Sequence, residues 1–179
     1  MERKLLVLDL DETLIFATKT TLDYPADFQV GKYAVYKRPH VDDFLRTCHQ
    51  WFEVAVWTSA SPDYAAGVVA NLFKETPSFI WTRDHCALVP NYALGEQVMV
   101  KTLAKLKRYG YQLEQILVID DSPEKHIRNY GNLIIVSPFI GNPKDRELLL
   151  LLPYLETLRN VENVRTIEKR HWRKSSGAI

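Results

Sequence analysis

Short apolar runs alternate with amphipathic stretches along most of the chain, and this alternation predicts the fold. A brief, continuous apolar run bounded by polar residues is typical of a strand that is buried on both faces. Such runs lie at residues 5–10, 53–57, 79–81, 116–119 and 133–136. Helical patterns separate and follow them, and strands that alternate with helices indicate parallel βαβ units. We therefore predict a single α/β domain with a parallel sheet and helices on both faces.

Local signals define the predicted helices. The first helix shows its core face as apolar residues at helical spacing, namely Val41, Phe44, Leu45 and Cys48. Ser61-Pro62 and Ser122-Pro123 are typical helix starts, with serine as the N-cap and proline at the first helical position. Tyr64 is expected on the buried side of the helix that Ser61 begins. Further helices are predicted at residues 102–109 and 145–158.

Two segments depart from this alternation. Residues 17–36, between the first strand and its helix, are rich in Thr, Asp and Tyr, and we predict a small hairpin there, inserted over the end of the first strand. Residues 161–179 form a basic tail beyond a domain of residues 1–160. A short basic tail is usually solvated, and we expect its end at Ser175-Ser176-Gly177 to fray.

The totals exclude several classes of protein. A length of 179 residues suits one domain with a substantial core. A net charge of +1 gives no general argument for binding to nucleic acid or to a membrane. The two cysteines, Cys48 and Cys86, make neither a disulfide framework nor a zinc site. Because we find no signal peptide and no long apolar segment, we expect the protein in the cytoplasm, or in the nucleus if the source is eukaryotic. We also expect it to be a monomer.

Three of the predicted strands end in polar side chains. They are Asp9 and Asp11 at the end of the first, Thr58 and Ser59 at the end of the second, and Asp120 and Asp121 at the end of the fourth. The carboxyl ends of parallel strands meet at one edge of the sheet, where open α/β folds keep their active sites. A simpler interpretation stays open, because aspartate after a strand also suits a turn or a helix N-cap.

Four carboxylates at one edge repel each other unless a proton or a cation lies between them. Magnesium suits such a cluster, because it binds one or two carboxylates, several waters and a substrate phosphate. Lys101 stands at the start of a predicted helix, after a predicted long loop at residues 85–100. A lone helical lysine is usually a solvated surface residue, so Lys101 matters only if the fold brings it to this edge.

An ordered series of motifs identifies a family that the chain resembles. They are Asp9-Leu10-Asp11-Glu12-Thr13-Leu14, Lys37-Arg38-Pro39, Val41-Asp42-Asp43-Phe44-Leu45, Trp57-Thr58, Arg83-Asp84-His85-Cys86, Lys101, Asp120-Asp121-Ser122-Pro123 and Pro138-Phe139. Together they resemble the haloacid dehalogenase (HAD) superfamily, and within it the NIF-type (FCP/SCP-like) small phosphatases that act on the C-terminal domain of RNA polymerase II. The resemblance runs from Leu5 to about Leu158 and implies a HAD-like Rossmannoid fold.

The resemblance also implies roles for the acids at this edge. Asp9 would be the nucleophile that forms an aspartyl-phosphate, and Asp11 would act first as general acid and then as general base. Mg²⁺ would be held by Asp9, Asp120 and the backbone carbonyl of Asp11. Asp121 would support the metal site as a neighbouring group.

A second set of residues would bind the substrate. By the same resemblance, Thr58 and Lys101 would hold the phosphoryl oxygens, and Arg83 would reach toward substrate phosphate. Ser59 is a further candidate beside Thr58. Tyr33 represents the aromatic residues of the insertion, which either line a recognition pocket or only pack the hairpin onto the domain.

The chain departs from the family pattern at three places that concern substrate identity. They are Phe16, where eukaryotic relatives often have histidine, the order Ser59-Ala60, and Thr102 in place of a common aspartate. The leading prediction is a phosphatase for phosphoserine or phosphothreonine in proteins, since the short insertion leaves an open site. A small-metabolite phosphatase, a nucleic-acid-end phosphatase and a non-catalytic module of the same fold are the alternatives. A dehalogenase is disfavoured, because it has no use for a second acid or a metal.

Overall fold

The computed structural model describes residues 3–91 and 95–175. In chain order, its strands and α-helices are β1 (Leu5–Leu8), β2 (Ile15–Thr18), β3 (Phe28–Val30), β4 (Tyr33–Lys37), α1 (Val41–Trp51), β5 (Glu53–Trp57), α2 (Pro62–Leu72), β6 (Ile80–Trp81), β7 (Ala87–Asn91), β8 (Glu96–Val100), β9 (Ile116–Asp120), β10 (Leu133–Ile135), α3 (Glu147–Leu158) and α4 (Trp172–Ser175). Short 3₁₀ segments at Arg83–His85, Leu103–Tyr109, Leu113–Gln115, Pro123–His126, Tyr130–Asn132 and Val164–Thr166 complete it.

A five-stranded parallel sheet forms the centre of the molecule, in the order β10-β9-β1-β5-β6. The chain runs from β1 outward to β5 and β6 on one side, and then returns to place β9 and β10 on the other. The direction of winding therefore changes beside β1, and open α/β sheets bind their ligands at such a point. The predicted α/β fold is confirmed.

Both faces of this sheet are buried, as the continuous apolar runs predict. Leu6 and Leu8 of β1 point into a core formed with all four α-helices, whereas Leu5 and Val7 point into a second core on the opposite face. The 3₁₀ segment Leu103–Tyr109 covers the second face. Its buried leucines are three residues apart, which matches the three-residue turn of a 3₁₀-helix. The prediction of an α-helix at residues 102–109 is therefore corrected to a 3₁₀ segment.

The first helix and the cysteines agree closely with the sequence pattern. The buried residues of α1 are Val41, Phe44, Leu45 and Cys48. Pro62 begins α2 and Ser61 occupies the N-cap position, although the serine side chain makes no capping hydrogen bond. Both Cys48 and Cys86 are free thiols. Ser122-Pro123 begins only a four-residue 3₁₀ turn rather than a full helix.

Two predicted irregular regions contain sheet. The expected loop at residues 85–100 is an antiparallel hairpin of β7 and β8, and Pro90 inside β7 hides this strand because proline is rare within sheets. The insertion is a three-stranded antiparallel sheet in the order β2-β4-β3, which starts at Ile15 and is larger than the predicted hairpin. Within the described residues, no helix combines the length and the apolar character needed to cross a membrane.

The described part of the basic tail does not lie free in solvent, contrary to expectation. Trp172 is buried beside Tyr154 at a ring distance of 6.2 Å, and its indole nitrogen donates to the carbonyl of Ile135 at 2.8 Å. Lys169 is also buried and donates to backbone carbonyls, including that of Gly131 at 2.8 Å. The buried ring of Trp172 and the hydrogen bonds of Lys169 hold this segment against the domain, although the surrounding sequence is basic. The frayed end expected at residues 176–179 lies outside the described residues.

Candidate active site

The register of the central sheet brings the first acids together. Leu8 of β1 lies opposite Val56 of β5 on one side and Ile119 of β9 on the other. The next residues, Asp9 and Asp120, therefore stand side by side at the carboxyl edge. Both are almost completely buried, and the Asp9 amide donates to the carbonyl of Ile119 at 3.0 Å.

Lys101 joins these two acids. Its Nζ lies 2.6 Å from Oδ1 of Asp9 and 2.5 Å from Oδ2 of Asp120, and its side chain is 1% exposed. Burial alone would lower the pKa of Lys101, but the two carboxylates outweigh it and raise this pKa, so the ammonium is charged. The cation compensates for part of the carboxylate charge at this edge.

The β7–β8 hairpin delivers this lysine to the site. Lys101 directly follows the last residue of β8, and its backbone amide donates to the carbonyl of Lys125 at 2.8 Å. The Asn129 side chain donates to the carbonyl of Lys101. Lys101 is thus held on its backbone as well as at its ammonium, and it does not begin a helix as the sequence pattern suggested.

A tight turn after β1 folds the first motif back on itself. The amides of Thr13 and Leu14 both donate to the carbonyl of Leu10. Glu12 has a φ of 60°, a left-handed conformation that is uncommon for residues other than glycine. The turn brings the Thr13 hydroxyl to 3.4 Å from Asp9 and 3.2 Å from Asp121. This turn therefore orients the carboxylates as well as ending the strand.

The two acids at the end of β9 have different surroundings. Oδ2 of Asp120 makes hydrogen bonds with Nζ of Lys101 and Nε2 of His126, and Oδ1 accepts from the amide of Ser122. Burial would raise the pKa of Asp120, but the Lys101 charge and the His126 hydrogen bond outweigh it and lower this pKa. Asp121 is half-buried and accepts from the hydroxyls of Thr13 and Ser122. Burial, with the nearby charge of Asp120, raises the pKa of Asp121.

The carboxylates have the chemistry and the spacing of a magnesium site. One side-chain oxygen from each of Asp9, Asp120 and Asp121 lies within 4.8 Å of the others. Burial, with the charge of Asp120, raises the pKa of Asp9, which indicates that Lys101 alone does not balance the cluster. Hard oxygen ligands that are short of positive charge fit a divalent cation such as Mg²⁺.

Asp11 lies beside this cluster and contacts a residue that the sequence pattern assigned to the core. The hydroxyl of Tyr64 donates to Oδ1 of Asp11 at 2.6 Å. Burial raises the pKa of Asp11, although the Tyr64 hydrogen bond opposes the shift. The ring of Tyr33, at the start of β4, contacts the Tyr64 ring edge-on at 5.7 Å. The insertion therefore reaches the acid through two aromatic side chains.

The remaining candidates occupy the loops at the same edge. Thr58 follows β5 and is buried, and its hydroxyl accepts from the amide of Ala60 at 3.1 Å. Ser59 is half-buried in the same loop. Arg83 has an exposed side chain, and its amide donates to the carbonyl of Ala60 at 3.1 Å. The fold thus places Arg83 next to the Thr58 loop, with its guanidinium in solvent.

Sequence reasoning assigned no separate role to Thr13, Tyr64 or His126. Thr13 is part of the first motif, so its position two residues after Asp11 was an available signal. Tyr64 has a polar tip on an otherwise apolar helix face, which also suits an ordinary core residue. His126 lies six residues from Asp120, and no spacing rule predicts that a 3₁₀ turn brings its Nε2 to 2.9 Å from that carboxylate.

Comparisons with known proteins show the family to which the chain belongs. The model of the NLI interacting factor-like phosphatase family matches residues 4–165. Nuclear envelope morphology protein 1 of Schizosaccharomyces pombe is 34% identical over 178 residues, which cover 93% of this chain but only 36% of that protein. The CTD nuclear envelope phosphatase 1 homolog of Drosophila melanogaster is 32% identical over 188 residues, which cover 96% of this chain and 74% of that protein.

A solved structure extends the comparison to the fold. Fcp1, described as an essential RNA polymerase II CTD phosphatase, matches with a TM-score of 0.59 at 21% identity, over 98% of this chain and 53% of that one. At this identity the match shows the fold alone. The family match reaches from the residue before β1 to the 3₁₀ turn at Val164–Thr166 and includes every candidate site residue. The resemblance found in the motifs is confirmed, and the chain belongs to the NLI interacting factor-like phosphatase family.

Proposed function

We propose that the chain is a Mg²⁺-dependent phosphomonoester hydrolase that works through a phosphorylated Asp9. The observation that carries the proposal is the buried contact of Lys101 with Asp9 and Asp120, at 2.6 and 2.5 Å. A charged ammonium at the nucleophile can bind a phosphoryl oxygen and stabilise the charge of the transition state. A purely structural cluster would not need a second acid, Asp11, beside it.

In the first step, an oxygen of Asp9 bonds to the substrate phosphorus while the bond from phosphorus to the leaving oxygen breaks. Asp11 gives its proton to that leaving oxygen, which departs as an alcohol. Lys101 and Thr58 hold the non-bridging phosphoryl oxygens. The raised pKa of Asp11, caused by burial, suits a group that must carry a proton before it gives it away.

In the second step, a water molecule attacks the phosphorus of the aspartyl-phosphate. Asp11 takes a proton from this water, the bond between phosphorus and Asp9 breaks, and inorganic phosphate leaves. The same side chain thus acts as acid and then as base, and the enzyme returns to its starting state.

Bound Mg²⁺ would neutralise charge on the phosphoryl group and on the nearby carboxylates. We propose that Asp9 and the backbone carbonyl of Asp11 hold it, with Asp121 as the further carboxylate ligand. The family resemblance assigned that role to Asp120, but Asp120 is fully buried and already pairs with Lys101 and His126, whereas Asp121 is half-buried and accepts from two hydroxyls. Asp120 then serves to orient Lys101, and the two neighbouring acids exchange the roles first expected of them.

The proposed substrate is phosphoserine or phosphothreonine in a protein. The insertion adds a small three-stranded sheet rather than a separate cap domain, which supports an open site. The relatives named CTD nuclear envelope phosphatase support the same substrate class. A cytoplasmic location and a monomeric state stay predictions, and the names of the relatives add the nuclear envelope as an alternative place of action.

Trapping of the phosphorylated enzyme tests the proposal. Wild-type protein with Mg²⁺ and p-nitrophenyl phosphate should show acid-stable labelling at Asp9 after rapid quenching, and Asp9→Asn should lose both the label and turnover. Asp23→Asn, which removes an exposed carboxylate, is the matched control and should keep both. Substantial turnover by a folded Asp9→Asn variant, or full wild-type activity in excess EDTA, would refute the proposal.

A further inference from the structure

Tyr64 contacts the proposed acid and base directly. Its hydroxyl lies 2.6 Å from Oδ1 of Asp11, as donor to a carboxylate that stands in a loop rather than in a strand. Among residues 3–91 and 95–175, Tyr64 is the residue whose side chain donates a hydrogen bond to the Asp11 carboxyl. We propose that Tyr64 is a positioning residue that holds Asp11 in the orientation for proton transfer, an inference that rests on the proposed function.

The position of Tyr64 is determined from two sides. On its own helix, Ala65 is buried, and Gly67 is so close to β3 that a Cβ there would lie 2.7 Å from Cγ1 of Val30. On the other side, the Tyr33 ring meets the Tyr64 ring edge-on at 5.7 Å. The first turns of α2 are thus docked against the insertion, and the hydroxyl of Tyr64 is presented to Asp11 from a rigid element.

Asp11 lies in a turn rather than in a regular strand, so a side-chain partner contributes to fixing its carboxyl. It stands between the end of β1 and Glu12, where the chain turns through a left-handed conformation. A hydrogen bond at Oδ1 selects one rotamer and leaves Oδ2 to exchange a proton with the leaving oxygen or with water. A misplaced proton donor slows the reaction most when the leaving group needs the proton most.

Tyr64→Phe removes the hydroxyl and keeps the ring. For phenyl phosphate, whose leaving oxygen needs protonation, we expect kcat/KM to fall about tenfold. For 2,4-dinitrophenyl phosphate, whose leaving group needs little protonation, we expect a change of less than about twofold. The decay of the phosphorylated enzyme, followed by rapid quenching, should slow about tenfold with either substrate because Asp11 serves there as base.

Tyr111→Phe is the matched control. It removes another tyrosine hydroxyl that donates to a carboxylate, that of Glu53 at 2.5 Å. Glu53 begins β5 and therefore lies at the opposite edge of the sheet from Asp9. This variant should leave the ratio between the two substrates unchanged, even if the thermal midpoint falls.

A double-mutant cycle separates positioning from a general structural effect. In an Asp11→Asn background, Tyr64→Phe should cause little further slowing of phospho-enzyme decay, because the group through which it acts is gone. Equal losses on both aryl phosphates, or effects of Tyr64 and Asp11 that simply multiply, would overturn the inference alone. An Asp11→Asn variant without any leaving-group dependence would instead overturn the proposed function, and this inference with it.

Discussion

Asp120 and Asp121 differ in their partners, and this difference predicts separate phenotypes: Asp120 pairs with the buried Lys101 ammonium, whereas Asp121 accepts from two hydroxyls. Asp121→Ala should weaken Mg²⁺ binding by at least about tenfold while the fold is retained, because it removes a proposed ligand and no buried ion pair. Asp120→Ala should cost about 3–5 kcal/mol of stability, because it leaves the Lys101 ammonium buried beside one remaining partner. Calorimetric titration with Mg²⁺ and urea unfolding measure the two effects independently of turnover.

The alternative assignment gives the opposite pattern of Mg²⁺ affinity. If Asp120 is the ligand, Asp121→Ala keeps nearly normal Mg²⁺ affinity and Asp120→Ala loses it, while loss of the Lys101–Asp120 pair lowers stability under either assignment. Asp120→Asn helps to decide between the two ligand assignments, because the amide keeps the side-chain volume but removes the negative charge that pairs with the Lys101 ammonium.

Arg38 is another buried cation, and it stabilises the turn that carries Thr13. Its guanidinium makes a bidentate contact with Asp145 at 2.9 Å and donates to the carbonyls of Thr13 and Ser137. Arg38→Met should destabilise the protein by about 3–5 kcal/mol, since it leaves Asp145 and buried carbonyls without their donor. The neighbouring Lys37→Met removes only a partly exposed pair with Asp42 and should cost less than about 1 kcal/mol.

Urea unfolding of both variants checks this comparison. Because Arg38 contacts the turn that carries Thr13, residual activity of Arg38→Met should fall even at temperatures where the protein stays folded. A variant that unfolds no more easily than Lys37→Met would show that Arg38 contributes no more than a surface pair.

At the scale of elements, the three-stranded insertion adds an aromatic side chain, Tyr33, beside the acids at the edge of the central sheet. Tyr33 lies on β4, half-buried, and reaches Asp11 only through Tyr64. Tyr33→Ala should lower kcat/KM for a phosphoserine peptide substrate by about tenfold, because it removes apolar contact area next to the phosphate site. It should change kcat/KM for 2,4-dinitrophenyl phosphate much less, since that small ester makes little contact beyond the phosphate site and its leaving group needs little protonation by Asp11.

The comparison of the two substrates is the measurement that matters here. Tyr36, which is buried and whose hydroxyl accepts a hydrogen bond from the Leu22 amide at 2.8 Å, provides a structural reference on the same strand. Tyr36→Ala is expected to affect both substrates through loss of stability. Parallel losses in Tyr33→Ala would mean that Tyr33 also serves the packing of the insertion rather than substrate choice.

At the scale of the whole molecule, the C-terminal segment is part of the packed structure. Trp172 fills the core beside Tyr154 and donates to the carbonyl of Ile135 in β10. Trp172→Ala should therefore lower the free energy of unfolding by about 3–5 kcal/mol. Lys174→Ala, which changes an exposed basic residue, should have an effect within about 0.5 kcal/mol.

Thermal or urea unfolding of these two variants distinguishes a packed segment from a solvated basic tail. Equal stability of Trp172→Ala and wild type would restore the expectation of a tail that contributes nothing to the fold. Loss of stability without loss of specific activity in the remaining folded protein would separate the segment from the chemistry.

The sequence by itself determined the central sheet and the acids at its edge. Burial of a strand on both faces requires a continuous apolar run, so Asp9 and Asp120 are visible as the points where such runs stop. The core face of α1 was equally readable, because helical spacing is a local property. Strands with less regular patterns were not: Pro90 hides β7, and the short strands of the insertion mix polar and apolar residues without a clear period.

Only the tertiary structure decided which residues meet at the acids. Lys101 contacts Asp9 across 92 positions of sequence, and Tyr64 contacts Asp11 across 53. Such contacts depend on how the β7–β8 hairpin and α2 pack against the sheet, and no local pattern encodes that packing. The same holds for Trp172, because burial of its large apolar side chain is favourable while its basic neighbours Arg170 and Lys174 stay exposed to water.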